Sequence, residues 1–227
     1  MEIQGFNMVK LFIVRHGETE LNGRGIIQCQ VDTYSINENG KTDAHYVGQN
    51  LPKDIEIIIS SPLKRAVATA SIISTYNNAP IMLVDGLEEM YGGNINTMTI
   101  SEFGAMKFNP PLIYKGYVSG KDFVVGEGQT IRDCMFLNDL EYQNFSYPDG
   151  ESKAQAKARF EKAILDFVKK YPQYEKIIVV SHGFTIKSFV AGIPELSDFK
   201  MMRHREILEF NLENNKFIFE NYKKFER

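Results

Sequence analysis

Lys10-Leu11-Phe12-Ile13-Val14-Arg15-His16-Gly17 opens as an apolar run and ends in an arginine, a histidine and a glycine. A short apolar run without polar alternation reads as a strand covered on both faces, as in parallel sheets. Its carboxyl end then delivers Arg15 and His16. The pattern returns at Lys176 to Ser181 (Lys-Ile-Ile-Val-Val-Ser), which ends in His182-Gly183. Ile55 to Ile59 and Ile81 to Val84 read as two further buried strands.

Helices are expected between these strands. Gly40 to Leu51 is closed by Pro52. Ser60-Ser61-Pro62 supplies a serine N-cap and a proline in the first turn, so a helix starts there with Arg65 near its beginning. Glu151 to Tyr171 is a long amphipathic helix with Ala158, Phe160, Ala163, Ile164, Phe167 and Val168 facing inward. Lys153, Lys157 and Lys162 are expected on its wet face. Another helix runs from about Phe184 to Ala191. Glu206 to Leu212 and Lys216 to Tyr222 flank Asn214-Asn215 and predict a hairpin that closes one edge of the sheet.

Strands alternating with helices predict an α/β fold. We expect a three-layer α/β/α sandwich with a mostly parallel sheet of about six strands and an inserted, partly helical cap. The stretch Gly92 to Pro148 is richer in Gly, Pro, Asn and Tyr and shows weak periodicity. This predicts a single domain over 1–227 with the cap insertion at about 93–149, lying over the active edge of the sheet.

With 227 residues, 43% hydrophobic and 24% charged, the chain has the makeup of an ordinary globular protein. A net charge of -3 gives no global attraction to nucleic acid or to an anionic membrane. Any bound anion must therefore be held by a local cluster of positive groups. No stretch approaches the roughly 18 apolar residues of a membrane helix. The segment Met1 to Asn7 lacks a signal-peptide layout. Cys29 and Cys134 lack metal-site spacing and read as reduced thiols in a cytoplasmic protein.

In open α/β sheets, ligands bind beyond the carboxyl ends of the strands. His16 and His182 are both expected there, with Arg15 beside one of them and Arg65 opening a helix after another strand. Singly, each would more often be structural. Together on successive strand ends they make the local anion site that the acidic chain requires.

These residues also carry a family resemblance. Arg15-His16-Gly17-Glu18-Thr19 with Asn22 resembles the signature of the histidine phosphatase superfamily, also called phosphoglycerate mutase-like. Gln28, Asp32 and Asn37-Glu38-Asn39-Gly40 resemble the stretch after the nucleophile loop, and Ser60 to Ala66 resembles the second arginine motif. Leu87-Glu88-Glu89 is similar to the segment holding the general acid. Gly150-Glu151-Ser152 with Arg159 resembles the helix start of the phosphatase branch, and Val180-Ser181-His182-Gly183 the second histidine motif.

The resemblance implies that His16 attacks phosphorus and forms a phosphohistidine while Arg15, Arg65 and His182 surround the phosphoryl oxygens. It implies Glu89 as general acid, with Glu88 in reserve, because Leu87, Glu89 and Gly93 match the family spacing. Asn22, Gln28 and Glu88 are expected substrate contacts, with no metal and no other cofactor. The implied function is metal-independent hydrolysis of a small phosphorylated metabolite, with no nucleic-acid or membrane partner. A homodimer through the final hairpin's edge is open.

The runner-up is a cofactor-dependent phosphoglycerate mutase. Thr19-Glu20-Leu21-Asn22 lacks the Ser and Trp usual there in mutases, and the insertion lacks their paired arginines. A non-catalytic phospholigand-binding module ranks third. Gly93-Asn94-Ile95-Asn96-Thr97 departs from the aromatic residue and Glu-Gly pair of many phosphatase-branch members, which bears on substrate preference. Cys29 reads as a packed side chain, and Met201 to Arg205 as a solvated turn before the hairpin. Tyr114, Lys115, Tyr117 and Lys121 are candidate substrate-facing residues of the cap.

Overall fold

A computed structural model describes residues 8–105, 112–115, 118, 121–125, 143–146 and 149–225. Its main sheet has six strands: β1 (Val9–Arg15), β2 (Ile57–Ser60), β3 (Ile81–Leu83), β6 (Lys176–Ser181), β7 (Glu206–Glu213) and β8 (Lys216–Lys224). They lie in the order β3-β2-β6-β1-β7-β8. The first four are mutually parallel, and β7 and β8 run antiparallel at one side.

Alternate residues of each strand enter opposite layers, as the pleat requires. Leu11, Ile13, Ile177 and Val179 pack with Phe160, Ile164 and Phe167 of α5 (Lys153–Lys170) and Ile186 and Phe189 of α6 (Gly183–Val190). Phe12, Val14, Ile178 and Val180 pack with Val47 of α2 (Glu38–Asn50) and Ala66, Ala70 and Ile73 of α3 (Lys64–Asn77). These strands have helices on both faces, which is why their sequence is apolar throughout.

The register brings the functional ends level. Arg15 pairs with Ser181 across β1 and β6, and the His16 amide donates to the Ser181 carbonyl at 3.0 Å. On the other flank of β6, Ser60 of β2 pairs with Val180, and the Ser61 amide donates to the Val180 carbonyl at 3.0 Å. Three strands thus end side by side at His16, His182 and Ser61.

Some local expectations are corrected. Helix α3 begins at Lys64 with Leu63 at the cap and no side-chain cap bond. The Ser61 hydroxyl instead accepts from the Leu63 amide at 3.3 Å and pairs with His182 Nε2 at 2.8 Å. In α5 the inward stripe is Lys153, Ala156, Phe160, Ala163, Ile164 and Phe167. Ala158 lies off this 3.6-residue stripe and is exposed, while Lys153 lies on it and is only 2% exposed. Lys157 is half-buried and donates to the Ala191 carbonyl at 3.2 Å; Lys162 is exposed as expected.

The hairpin turn has Asn214 at φ 49° and Asn215 at φ 62°, the left-handed pair of a type I′ turn. It leaves β8 at the sheet edge. Between β1 and α2 comes a single helical turn, α1 (Glu20–Gly23), and the stretch expected as a cap begins with a 3-10 turn at Gly93–Ile95 and α4 (Ile100–Ala105). The same stretch contains an antiparallel pair, β4 (Leu112–Lys115) and β5 (Asp122–Val125), for which the sequence carried no strand pattern. Tyr117 and Cys134 lie outside the described residues, as does much of the expected cap; Lys115 and Lys121 are exposed. Among the described residues, no helix is long and apolar enough to cross a membrane.

Ile177 is 0% exposed at the centre of the sheet. Ile177→Ala is expected to lower stability by about 2–5 kcal/mol, through lost transfer energy plus a cavity. Urea denaturation checks this, and a loss below about 1 kcal/mol would contradict the described core.

Candidate active site

His16 leaves β1 into a loop pinned by backbone contacts. A Cβ on Gly17 would meet the Gly40 carbonyl oxygen at 2.3 Å, and one on Gly40 would meet the Glu18 carbonyl oxygen at 2.2 Å. Only two glycines let the loop and the start of α2 approach this closely. The Asn37 amide donates to the Glu18 carbonyl at 2.8 Å, and the Glu18 carboxylate accepts from Asn37 Nδ2 at 3.0 Å and Asn39 Nδ2 at 2.9 Å. From the α3 side, Thr69 Oγ1 accepts the Gly17 amide at 2.9 Å and donates to the Arg65 carbonyl at 2.7 Å.

The His16 ring is held by its own loop. Nδ1 lies 2.7 Å from the Gly17 carbonyl, which can only accept, so Nδ1 carries the hydrogen and Nε2 presents a lone pair. Arg65 Nε donates to that Nε2 at 3.3 Å and to His182 Nδ1 at 3.2 Å. The other nitrogens of Arg65 donate to the Val31 carbonyl at 3.0 Å and the Cys29 carbonyl at 2.5 Å. Arg15 donates through Nη1 to the Met202 carbonyl at 2.9 Å, while its buried Nε has no partner among the described residues.

Burial sets the protonation of the imidazoles. His16 and His182 are held well below the usual histidine range, first by burial and then by neighbouring positive or titratable groups, Arg65 and Arg15 among them. His16 is therefore neutral at ordinary pH. Burial also lowers Arg65, to about 10, which leaves it cationic at neutral pH.

A cavity of about 300 Å3 opens here, lined by Arg15, His16, Asn22, Gln28, Arg65 and Glu89 among others. The Glu89 carboxylate accepts the amides of Met90 at 2.8 Å, Thr185 at 2.9 Å and Phe184 at 3.2 Å, the last two at the start of α6. Glu88 is not brought to this cavity. Its carboxylate accepts the Gly86 amide at 2.6 Å and lies 3.5 Å from Arg159 Nη1.

His182 is 0% exposed and reaches the site through Arg65 and through the His16 ring, centroid to centroid 5.0 Å, without lining the cavity. Gln28 lines it with both amide atoms engaged, accepting from Thr19 Oγ1 at 2.9 Å and donating to the Val31 carbonyl at 3.2 Å. Asn22 Oδ1 accepts the Thr19 amide at 3.3 Å, which leaves its Nδ2 to donate.

Arg159 stands out in the sequence beside Glu151 but without a place in the site, and the place of His204 escaped the sequence reading. Arg159 chelates Glu151 through two 2.9 Å bonds and donates to the carbonyls of Gly86 at 2.7 Å and Glu88 at 3.2 Å, bracing the loop that carries Glu89. His204 lines the cavity, its Nδ1 2.6 Å from the His16 carbonyl and its ring centroid 5.7 Å from that of His16. The Met201–Arg205 turn is thus no simple solvated turn. Met202 is 0% exposed, and Arg205 Nε lies 2.6 Å from Asp43 Oδ1. Because β7 pairs with β1, the turn before β7 lies beside Arg15 and His16. The only sequence signal for His204 was that pairing. Among the described residues, no group of three or more His, Cys, Asp and Glu is arranged to hold a metal ion.

Comparison with known proteins finds the sequence profile of the histidine phosphatase superfamily (branch 1) over residues 11–114 and 122–224. A broad-specificity phosphatase of Saccharomyces cerevisiae is 38% identical over 102 residues, 42% of this chain and 44% of that protein, so the match spans less than half the relative's length. A metal-independent phosphoserine phosphatase of Arabidopsis thaliana is 28% identical over 218 residues, 95% of this chain and 81% of its own. The solved structure of a phosphoserine phosphatase mutant from Entamoeba histolytica with phosphoserine superposes with a TM-score of 0.69 at 26% identity, covering 94% of this chain and 96% of that one.

Three buried imidazoles make stability depend on pH. His204 is pushed down to about 3, mainly by burial, and His16 and His182 are also depressed. Folded-state values below the unfolded 6.5 mean that the unfolded chain takes up protons first on acidification. The contribution is complete above about pH 7 and is lost as pH falls, by up to about 1.4 kcal/mol per pH unit for each imidazole. Urea denaturation between pH 7 and 5 should show this slope, and His204→Gln should reduce it by about one third. An unchanged slope in the variant would contradict a buried neutral His204.

Proposed function

The chain belongs to the histidine phosphatase superfamily, and from that premise we propose that it is a metal-independent phosphatase for small phosphorylated metabolites, acting through a phosphohistidine on His16. One observation carries the reading. The His16 ring is fixed with Nδ1 on the Gly17 carbonyl and Nε2 turned to Arg65, in a cavity that Glu89 also lines. The phosphatases named among the relatives support it.

In this mechanism a phosphate monoester enters with its charged oxygens toward the Arg15 Nε, the Arg65 Nε and the Asn22 amide. Arg65 exchanges its two imidazole acceptors for phosphoryl oxygen. His182, relieved of that bond, takes a proton at Nδ1 from the phosphate monoanion and donates it back to the phosphoryl oxygen, while its Nε2–H stays on Ser61 Oγ. These donors offset charge where it builds in the transition state.

His16 Nε2 attacks phosphorus as the ester P–O bond breaks, and the Nδ1–H bond to the Gly17 carbonyl supports the positive charge that develops on the ring. Glu89 in its acid form gives a proton to the leaving oxygen. As carboxylate it then takes a proton from the water that attacks the phosphohistidine. The P–N bond breaks, inorganic phosphate leaves, and His16 and Glu89 return to their starting forms. Arg159 acts by holding the Glu89 loop in place.

Release of inorganic phosphate from p-nitrophenyl phosphate in the presence of EDTA tests the proposal. His16→Ala should lower kcat/KM by at least about a thousandfold. Unchanged release would sink the mechanism, and loss on chelation alone would indicate a metal enzyme. Interconversion of phosphoglycerates primed by a bisphosphate, without phosphate release, would indicate a mutase instead.

Glu89→Gln should cost about 10²–10⁴-fold on an alkyl phosphate, whose leaving oxygen needs a proton, and less on p-nitrophenyl phosphate. Glu88→Gln should stay within a few-fold on both. A larger loss for Glu88→Gln than for Glu89→Gln would reverse the assignment of the acid.

A further inference from the structure

The peptide plane between His16 and Gly17 is held at both edges. Its N–H, on Gly17, donates at 2.9 Å to Oγ1 of Thr69, a buried residue of α3. Its C=O, on His16, lies 2.6 Å from His204 Nδ1, and since a carbonyl only accepts, Nδ1 carries the hydrogen and donates it. A planar peptide between two fixed neighbours keeps one soft motion, rotation about the line joining its Cα atoms. Gly17 has no Cβ to resist that rotation. Hydrogen bonds on opposite edges of the plane stop it.

The rotation matters because of what it moves. It changes ψ of His16 and φ of Gly17, and φ of Gly17 swings the carbonyl that takes the His16 Nδ1–H at 2.7 Å. The ring then loses the anchor that directs Nε2 toward Arg65 Nε, 3.3 Å away. His204 is itself firmly placed. Its turn is tied to the end of β1 by Arg15 Nη1 on the Met202 carbonyl at 2.9 Å and to α2 by Arg205 Nε on Asp43 Oδ1 at 2.6 Å. From α6, Lys187 Nζ donates to the carbonyls of Phe199 at 3.1 Å and Lys200 at 2.5 Å, and the Arg203 amide donates to Glu206 Oε2 at 2.6 Å.

We infer that His204 is a positioning residue for His16: with Thr69 it grips one peptide from opposite edges, so that the His16 imidazole keeps its line of attack. The inference rests on the phosphatase reading and adds to it a residue from outside the strand ends. A nucleophile displaced by about 1 Å can lose about a hundredfold in rate. The groups proposed to bind the phosphoryl oxygens are other side chains, so the loss falls on kcat rather than on KM.

Hydrolysis of p-nitrophenyl phosphate by His204→Phe and His204→Asn tests this. Phenylalanine keeps a ring and removes the donor, so kcat should fall about tenfold to a hundredfold while KM moves less than about threefold. Asparagine carries an amide N–H at the same reach as Nδ1 and should recover most of that loss. Nitrogen-15 NMR of histidine-labelled protein reads the ring directly: the His16 Nδ1–H signal should persist in His204→Asn and be lost to solvent exchange in His204→Phe. Thr69→Val frees the other edge of the same plane, so the double variant should lose little more than the worse single one. Should His204→Phe not fold, His204→Gln replaces it, because its amide nitrogen stands at the reach of Nε2 and the same loss is expected. A kcat within about twofold of wild type in the variant lacking the donor, equal losses in it and His204→Asn, an unchanged His16 signal, or losses that multiply fully in the double variant would each overturn the inference. The phosphatase reading would still stand on the loss of release in His16→Ala. If His16→Ala keeps full release, that reading falls, and the inference with it.

Discussion

The Arg65 guanidinium, 1% exposed, is shared between two imidazoles and two backbone carbonyls, and the site is arranged around that burial. An unpaired buried cation is costly, so each of its N–H groups must find an acceptor. The carbonyls of Cys29 and Val31 satisfy one edge and thereby fix the loop that follows His16. The Nε satisfies itself on His16 and His182, which requires both rings to present lone pairs. That demand, together with the Gly17 carbonyl at His16 and Ser61 at His182, selects one tautomer for each ring. In the proposed mechanism a phosphoryl oxygen, a better acceptor for Nε than either imidazole, takes the place of these two weak partners.

Positive charge at the site needs no positive protein. The chain carries -3 overall, yet Arg15 and Arg65 sit together where water is largely excluded and Coulomb interactions are strong. The same environment keeps His16 neutral, because a third positive charge beside two guanidiniums is disfavoured. Glu89 supplies the opposing sign. Its carboxylate sits on amides at the start of α6, where the helix dipole favours negative charge, and Arg159 holds the main chain behind it.

Much of this was legible in the residues themselves. Apolar runs ending in Arg15-His16-Gly17 and His182-Gly183 read as buried parallel strands because a strand covered on both faces cannot alternate. Asn214-Asn215 read as a hairpin turn because asparagine tolerates the left-handed conformation both positions adopt. The helix over α5 was found, but Ala158 and Lys153 were misplaced. Alanine is compatible with either face, and a lysine can lay its stem along an apolar stripe, so neither residue type reports its burial. Ser61 was misread for a related reason: a serine before a helix can cap it, but here the hydroxyl is shared between the Leu63 amide and a histidine from another strand.

By itself, the sequence determined the α/β strand-and-helix alternation and the group Arg15, His16, Arg65 and His182 at strand ends, because local periodicity and chain direction suffice for both. Only the tertiary structure decided which of two adjacent glutamates enters the cavity and that His204 stands against His16. Those outcomes depend on strand register and on contacts between segments as far apart as His16 and His204. No local pattern carries that information, since it exists only once the sheet has paired.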